Sequence, residues 1–274
     1  MERKQGVHKF FDKHTLAGLI ILMFGGMLLA QIIIGGLLGF LLSKAGIGLK
    51  TGIALGASIG GILIVFLHFF RFSPEYRWKS GKEDFLNTFR LLSPFLIFWI
   101  TYIPIDTYCA GRFPFGPVAP ASLAAALSAG ICEEAAFREL PISYMARQWK
   151  EGKYIPAMVL IPGVAFGLIH LSNGIMGSRD IVGLLLQAGF SIFFGIFFSA
   201  VYLRTGCIWP LMFTHALHDI LVFSAAYYVD DLPDWVAVVW LIIEGGLAIY
   251  GFYLIRKSKR AEILAFWDKK WSRT

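Results

Sequence analysis

Long apolar runs follow one another along the chain and are separated by short polar or basic segments. Most of the runs have about 20 residues, the length with which an α-helix crosses the hydrocarbon core of a bilayer. The pattern therefore predicts an all-α, polytopic membrane protein. Eight transmembrane helices are predicted, over residues 16–42, 52–70, 91–110, 121–149, 155–171, 181–203, 206–228 and 235–255.

The composition agrees with this pattern, because 57% of the 274 residues are apolar and only 16% are charged. Soluble domains are nearer half apolar and a quarter charged. The first apolar run is too long for a signal peptide and no convincing cleavage site follows it, so a retained helix is predicted. No internal repeat or soluble domain is visible, and residues 1–274 are predicted to form a single integral membrane domain.

The net charge of +7 is explained better by membrane topology than by nucleic-acid binding. An even number of helices places both termini on one side. Most Lys and Arg residues fall on that side, in the N-terminal segment, the 71–90 loop, the 147–153 turn and the 256–274 tail. Basic residues concentrate at the cytoplasmic face of membrane proteins. The termini are therefore predicted to be cytoplasmic, in a plasma (inner) membrane.

A glycine repeat marks the second predicted helix, where Gly52, Gly56 and Gly60 recur at four-residue spacing. Small residues at this spacing allow two membrane helices to approach closely. This face is therefore predicted to pack against a neighbouring helix.

Ionisable residues interrupt several of the predicted membrane helices. A charge near the bilayer centre costs at least about 2.5–3.5 kcal/mol, and intramembrane charges commonly mark functional sites. The fourth helix contains such charges in the segment "SAGICEEAAFRELP". Across the predicted helices, ionisable residues of this kind include Glu133, Glu134, Arg138, His170, His215, His218, Asp219 and Glu244.

Spacing along each helix predicts which of these side chains are neighbours. Glu134 and Arg138 are four residues apart, as are His215 and Asp219, so each pair shares a helix face. Glu133 points about 100° away from Glu134 around the helix axis. The two carboxylates are therefore expected to face different neighbours.

The depth of the residues in the membrane supports a shared site. Glu134 and His170 lie equally far in sequence from a predicted hairpin turn near Gly152, which places them at a similar depth. The polar layer predicted there, somewhat cytoplasmic of mid-membrane, contains Glu133, His170, His215 and Asp219. His218 is interpreted as a helix–helix hydrogen-bond donor. Glu244 is interpreted as a structural or proton-linked residue outside the site.

Two kinds of hydrolytic chemistry suit such a layer. A buried carboxylate with a histidine can activate water for attack on a carbonyl group, while a second polar pair stabilises the oxyanion. Alternatively, histidines and carboxylates can hold a zinc ion with a water in an open position. The zinc ligands would be Glu133, His170, His215 and Asp219. Neither a GxSxG motif nor a Cys–His pairing indicates a covalent nucleophile, and Cys132 is assigned to packing.

Three motifs resemble those of a known protein family. The segments "EEAAFR", "FGLIH" and "HALHD" are similar to the motifs EExxxR, FxxxH and HxxxN/D of the CAAX-protease and bacteriocin-processing family of intramembrane proteases, called CPBP or Abi. The motif-bearing core covers about residues 121–228. The resemblance implies an endopeptidase that cleaves membrane-bound or lipidated peptides or proteins near the cytoplasmic side of the bilayer.

The resemblance also implies a role for each matching residue. Glu133 with His170 would activate the water, and His215 with its partner would stabilise the oxyanion. The supporting positions are Glu134, Arg138, Phe166 and Asn173.

Asp219 departs from the family pattern, because prenyl-protein proteases typically have asparagine at this position. An ionised aspartate cannot donate a hydrogen bond to an oxyanion. Three roles are therefore open for Asp219: it is protonated, it orients His215 or it binds a metal. The resemblance does not indicate which of these roles applies.

Two other functions are compatible with the residues. A non-enzymatic membrane scaffold or bacteriocin-immunity protein of the same fold would share the motifs. An ion-coupled transporter would also use buried carboxylates and histidines, although the chain has no inverted repeat or matching pair of broken helices.

Overall fold

The computed structural model describes residues 13–68, 76, 80–111, 113, 115–174, 181–225 and 233–271. All regular secondary structure within these residues is helical, as predicted. The longer helices are Thr15–Lys44 (α1), Leu49–Leu67 (α2), Lys82–Leu92 (α3), Phe95–Ala110 (α4), Pro120–Glu134 (α5), Leu140–Gln148 (α6), Ile155–Ile169 (α7), Ile181–Thr205 (α8), Trp209–Ala225 (α9), Asp234–Leu254 (α10) and Arg260–Trp271 (α11).

Within the described residues, each of the eight predicted segments is largely helical, and residues 69–70 and 226–228 of two segments lie outside the described residues. Not all of these helices are long and apolar enough to span a bilayer. Within the described residues, five helices meet both conditions, and the pair α3–α4, bent by 45°, adds a sixth if it counts as one span. Helix α5 has 15 residues and α9 has 17. The chain is therefore a multi-pass membrane protein, and the count of eight spans stays a prediction.

The orientation in the membrane also stays a prediction. The first twelve residues and most of the basic 71–79 segment lie outside the described residues. The predicted asymmetry of positive charge consequently depends on the sequence alone.

Large apolar side chains cover the outer surface of the helices. Among the described residues, the isoleucines with the greatest exposure are between 61% and 71% exposed, and they are Ile32, Ile33, Ile100, Ile181, Ile242 and Ile249. A continuous apolar surface of this kind would be costly in water but matches the hydrocarbon chains of a bilayer.

The glycine face of α2 packs against α1, which confirms the predicted close approach. A Cβ atom on Gly52 would lie 3.0 Å from the carbonyl oxygen of Gly39, and one on Gly56 would lie 2.8 Å from Leu38 Cβ. A Cβ on Gly60 would lie 3.0 Å from the backbone of Ala30. Only glycine leaves room for this contact between the two helices.

The helices that carry the three motifs lie together at the centre of the molecule. Helix α5 packs against α2 and α9, α7 packs along α8, and α8 packs along α10. Fully buried aromatic side chains fill the space between them, including Phe137, Phe197, Phe198 and Tyr202. The packed core therefore holds the motif residues at positions set by several helices at once.

Helix α11 follows the last span and docks onto the end of α8. Trp267 donates its indole N–H to the carbonyl oxygen of Leu203 at 2.8 Å, and Lys270 donates to that of Gly206 at 2.6 Å. Burial lowers the pKa of the Lys270 ammonium, because the charged form loses hydration. The contacts satisfy carbonyl groups at the end of α8, which have no partner within the helix.

Replacing Trp267 by alanine is expected to destabilise the protein by about 3–5 kcal/mol, the usual cost of removing a large buried aromatic side chain. Trp267 is 1% exposed, whereas Trp235 is 47% exposed and provides a control of the same residue type. Thermal unfolding in detergent, followed by intrinsic fluorescence, measures both variants. Equal losses for Trp267→Ala and Trp235→Ala would show that the docking of α11 does not stabilise the fold.

Candidate functional site

A π-helical turn, Ala135–Glu139, separates α5 from α6 in the first motif. Pro141 follows this turn and has no backbone N–H, so a regular hydrogen-bond ladder cannot continue through this point. Wide turns of this type within α-helices occur frequently at functional sites. Glu134 ends α5, and Arg138 lies within the turn.

Glu134 and Arg138 form a fully buried ion pair, in agreement with their predicted shared face. The Arg138 Nη1 atom lies 2.9 Å from Glu134 Oε1, and both side chains are 0% exposed. The guanidinium carbon of Arg138 also lies 4.2 Å from the centre of the Phe166 ring. This cation–π contact provides an electrostatic partner for the arginine where water is excluded.

His215 joins this ion pair from α9. Its Nδ1 atom lies 2.8 Å from Glu134 Oε1. Because Glu134 is paired with Arg138 and therefore accepts, His215 donates from Nδ1. The Glu134 carboxylate thus fixes the orientation of the imidazole ring, and the other nitrogen, Nε2, faces the remaining carboxylates.

Glu133 and Asp219 flank the Nε2 atom of His215. Glu133 Oε2 and Asp219 Oδ2 each lie 3.8 Å from this nitrogen. The distance is too long for a direct hydrogen bond and is suited to a bridging water. The structure corrects one prediction here, because Glu133 and Glu134 contact the same imidazole at its two nitrogens instead of facing different neighbours.

His170 lies at the start of a short 3₁₀ turn, His170–Gly174, which extends α7. Its Nδ1 atom is 2.8 Å from the carbonyl oxygen of Phe166. The Phe166 ring contacts the rings of both His170 and His215, with centroid distances of 4.9 and 5.8 Å. Phe166 therefore connects the second motif to the other two.

Asn173 contacts α8. Its side-chain amide donates to Gln187 Oε1 at 3.2 Å. This bond ties the 3₁₀ turn after His170 to the neighbouring helix. The supporting role of Asn173 in the site stays a prediction.

His218 lies among aromatic rings of α4 and α8. Its Nδ1 atom is 3.4 Å from the indole Nε1 of Trp99, which donates the hydrogen bond. The rings of Phe95 and Phe98 pack against the imidazole at 5.5 and 5.3 Å. The predicted helix–helix hydrogen bond is present, but His218 accepts it instead of donating it.

A cavity of about 360 Å³ opens beside the motif residues. Its lining includes His170, His215 and Asp219, three of the four residues predicted to share the site, whereas Glu133 is not among its described lining residues. The lining also includes Glu244, which was predicted to lie outside the site. The cavity depends on how α8 and α10 rotate towards α9, and spacing along one helix cannot predict that rotation.

Gln187 and Trp240 also line this cavity and were not predicted as site residues. Gln187 is a polar amide within an apolar span, which is a signal that the sequence did contain. Trp240 gave no such signal, because an aromatic residue in a membrane helix is ordinarily part of the packing.

Cys132 takes no part in this cluster. Its Sγ atom donates to the carbonyl oxygen of Ala57 at 2.8 Å, and the residue is 2% exposed. The cysteine therefore packs α5 against α2, as predicted.

The zinc alternative has no preformed set of ligands in the described part of the chain and stays a prediction. No group of three or more His, Cys, Asp or Glu side chains within the described part of the chain is arranged as a set of metal ligands. The Nδ1 atom of His215 is engaged with Glu134, and that of His170 with a backbone carbonyl. Histidines that bind a metal through Nε2 commonly make such contacts at Nδ1, so these contacts do not argue against zinc. The candidate site is accordingly described as a cluster of carboxylates and imidazoles.

Gly130 controls the approach of α5 to α9 and thus the distance between the carboxylates and His215. A Cβ atom on Gly130 would lie 2.6 Å from the carbonyl oxygen of Met212 and 2.8 Å from Ala216 Cβ. Contacts below 3 Å with backbone atoms cannot be relieved without moving a helix. Glycine at this position is therefore needed for the geometry of the site.

Replacing Gly130 by alanine is expected to separate the two helices and to break the contact between His215 and Glu134. Gly36 is the matched control, since a Cβ there would have no neighbour within 4 Å. Misplacement of about 1 Å can lower the rate of an enzyme about a hundredfold. Assay of peptide cleavage by both variants in lipid nanodiscs tests this, and similar activity of the two would contradict the proposed geometry.

Comparison with known proteins gives one match, to a family model. No curated protein and no solved structure matches the chain. One family model matches residues 115–221, and its description is type II CAAX prenyl endopeptidase Rce1-like. The matched segment contains all three motifs. Residues 115–221 are thus similar to the Rce1-like type II CAAX prenyl endopeptidases, which confirms the resemblance to the CAAX-protease family predicted from the motifs.

Proposed function

We propose that this protein is an intramembrane endopeptidase that hydrolyses a membrane-associated, lipid-modified peptide or protein with water activated by Glu133. The observation that carries the proposal is the position of His215 Nε2, which lies 3.8 Å from both Glu133 and Asp219. A water between these atoms would contact a base and an imidazole at once. The similarity of residues 115–221 to a family of endopeptidases supports hydrolysis rather than transport.

The reaction begins with proton transfer from the water to Glu133. The water oxygen forms a bond to the carbonyl carbon of the peptide, and the electron pair of the C=O bond moves to oxygen. When the resulting tetrahedral oxyanion collapses, the C–N bond breaks and the leaving nitrogen takes the proton from Glu133. A buried carboxylate beside an imidazole is suited to both proton transfers.

His215 is assigned to the oxyanion, as the family resemblance implies. In its imidazolium form it donates from Nδ1 to Glu134 and from Nε2 to the developing negative charge. A donor held in place before the reaction stabilises the oxyanion without reorganisation, and the buried Glu134–Arg138 pair holds it. Asp219 is assigned to orienting His215, because it lies four residues further along the same helix and beside Nε2.

His170 is proposed to act with Glu133 in positioning the water. It lines the cavity beside His215, and its Nδ1 atom is occupied by the Phe166 carbonyl. Nε2 is the nitrogen proposed to act on the water. The 3₁₀ turn that begins at His170 is linked to α8 through Asn173, which restricts its movement.

The substrate is proposed to be a peptide with a lipid-modified residue, which enters from the membrane between helices. The cavity walls contain several aromatic side chains, including Phe98, Tyr102 and Phe190, and these suit an apolar chain. The distribution of positive charge in the sequence supports cleavage near the cytoplasmic side of the plasma membrane.

A cleavage assay on purified protein tests the proposal. The protein is placed in lipid nanodiscs with fluorogenic peptides that carry a farnesyl, geranylgeranyl or palmitoyl anchor, and the products are identified by mass spectrometry. Cleavage of at least one anchored peptide is expected, with little turnover of the same peptide without its anchor. Folded protein that cleaves none of them would favour the scaffold or immunity function. Parallel reactions with chelator test whether activity needs an added metal.

A further inference from the structure

The cavity has a second polar wall, which is separate from the three motifs. Helix α10 contributes Trp240 and Glu244 to the lining. These residues are four positions apart and therefore lie on the same face of the helix. Neither belongs to the segment that resembles the endopeptidase family, since that segment ends at residue 221.

Both side chains on this wall have a polar atom without a hydrogen-bond partner among the described residues. The atoms are Nε1 of Trp240, a donor, and Oε2 of Glu244, an acceptor. Glu244 is only 5% exposed. A buried polar atom that lacks a partner costs free energy, and an apolar residue would fill the same space without that cost. The pair is therefore better explained by a ligand than by packing.

The charges around the cavity indicate the class of ligand. Asp219 and Glu244 both line it, whereas no Lys or Arg side chain is among its described lining residues. The nearby guanidinium of Arg138 is directed to Glu134. A cationic group would thus gain a carboxylate partner in a site of low dielectric constant, whereas an anionic group would find no cation.

The aromatic residues beside Trp240 complete the wall. The ring of Tyr102 stacks on that of Trp240 at 5.0 Å, and the ring of Phe98 lies 6.4 Å from it. Both residues also line the cavity. Long basic side chains bury their methylene groups against surfaces of this kind while their charged end reaches a polar partner.

We propose that Trp240 and Glu244 form a specificity subsite that binds a Lys or Arg side chain of the peptide substrate. The Glu244 carboxylate accepts hydrogen bonds from the basic group, and the Trp240 indole N–H donates to a carbonyl oxygen of the same peptide. The inference rests on the proposed peptidase function and adds a requirement on the substrate sequence. A substrate would then carry a basic residue near the cleaved bond.

The test measures binding separately from cleavage. Glu133→Gln protein in nanodiscs is titrated with membrane-anchored fluorescent peptides, in which one position at a time carries either Lys or Met. At one position the Lys peptide is expected to bind at least about tenfold more tightly than the Met peptide, as one charged hydrogen bond in a buried site would produce. Adding Glu244→Gln should reduce this ratio to about one, whereas Glu244→Asp should retain a preference for Lys.

Two results would overturn the subsite. One is the absence of a Lys preference at every position, and the other is a preference that survives Glu244→Gln. Size-exclusion profiles and unfolding temperatures establish whether each variant is folded. If Glu244→Gln does not fold, the ratio of Lys-peptide to Met-peptide affinity measured with Glu133→Gln alone decides whether the subsite exists. Cleavage by the otherwise unaltered protein is measured in parallel. Absence of cleavage together with a Glu244-dependent preference would contradict the peptidase function and leave the subsite intact.

Discussion

Replacing Glu133 by glutamine is expected to lower peptide cleavage by at least about a hundredfold, because the amide cannot take a proton from the attacking water. The substitution keeps the size of the side chain and its position beside His215 Nε2, which lies 3.8 Å away. Turnover of an anchored peptide in nanodiscs measures the effect. The variant is expected to remain folded, since the Glu134–Arg138 pair is untouched.

Glu83 provides the matched control for this experiment. It is exposed on α3, outside the motif-bearing helices, and Glu83→Gln makes the same chemical change. Its activity should stay close to that of the original protein. If Glu133→Gln protein turned over substrate as well as Glu83→Gln protein, another group would have to be the base, and the proposed mechanism would be abandoned.

Replacing Arg138 by methionine is expected to destabilise the fold by about 3–5 kcal/mol, the usual cost of leaving one member of a buried ion pair without its partner. Glu134 would lose its cation, and the face of Phe166 would lose the guanidinium that lies 4.2 Å from it. Thermal unfolding in detergent measures the change. Lys153→Met breaks the exposed pair with Glu151 and serves as the control, with an unfolding temperature close to that of the original protein.

A double variant separates the charge of the pair from its packing. Arg138→Met combined with Glu134→Gln removes both charges, and buried pairs replaced by neutral residues often regain stability. The double variant is therefore expected to be more stable than Arg138→Met alone while remaining inactive, because His215 has lost the carboxylate that holds its Nδ1 atom. A double variant no more stable than the single one would show that the guanidinium contributes mainly through packing.

The pairs within single helices were predictable from the sequence. Four-residue spacing places Glu134 beside Arg138, because the period of an α-helix is known before any tertiary contact is considered. The glycine face of α2 was predictable for the same reason. The common depth of the motifs, counted from the turn near Gly152, stays a prediction.

The rotation of one helix relative to its neighbour, and the distance between the two, were not predictable from the sequence in the same way. The rotation of α9 relative to α5 brings both Glu133 and Glu134 to one imidazole, and close packing at Gly130 sets the distance. Sequence spacing describes angles around one helix axis and contains no information about the angle of its neighbour. The same limitation explains why Glu244, on the last span, was assigned to a position outside the site.

By itself, the sequence determined that this is an α-helical membrane protein with a rare set of intramembrane charges, because hydrophobic length and helical period are local properties of the chain. The tertiary structure alone decided that His215 is held between Glu134 on one side and Glu133 with Asp219 on the other, beside a cavity that also reaches Glu244. Those contacts depend on how several helices pack, and packing is determined by the shapes of all the surfaces in contact.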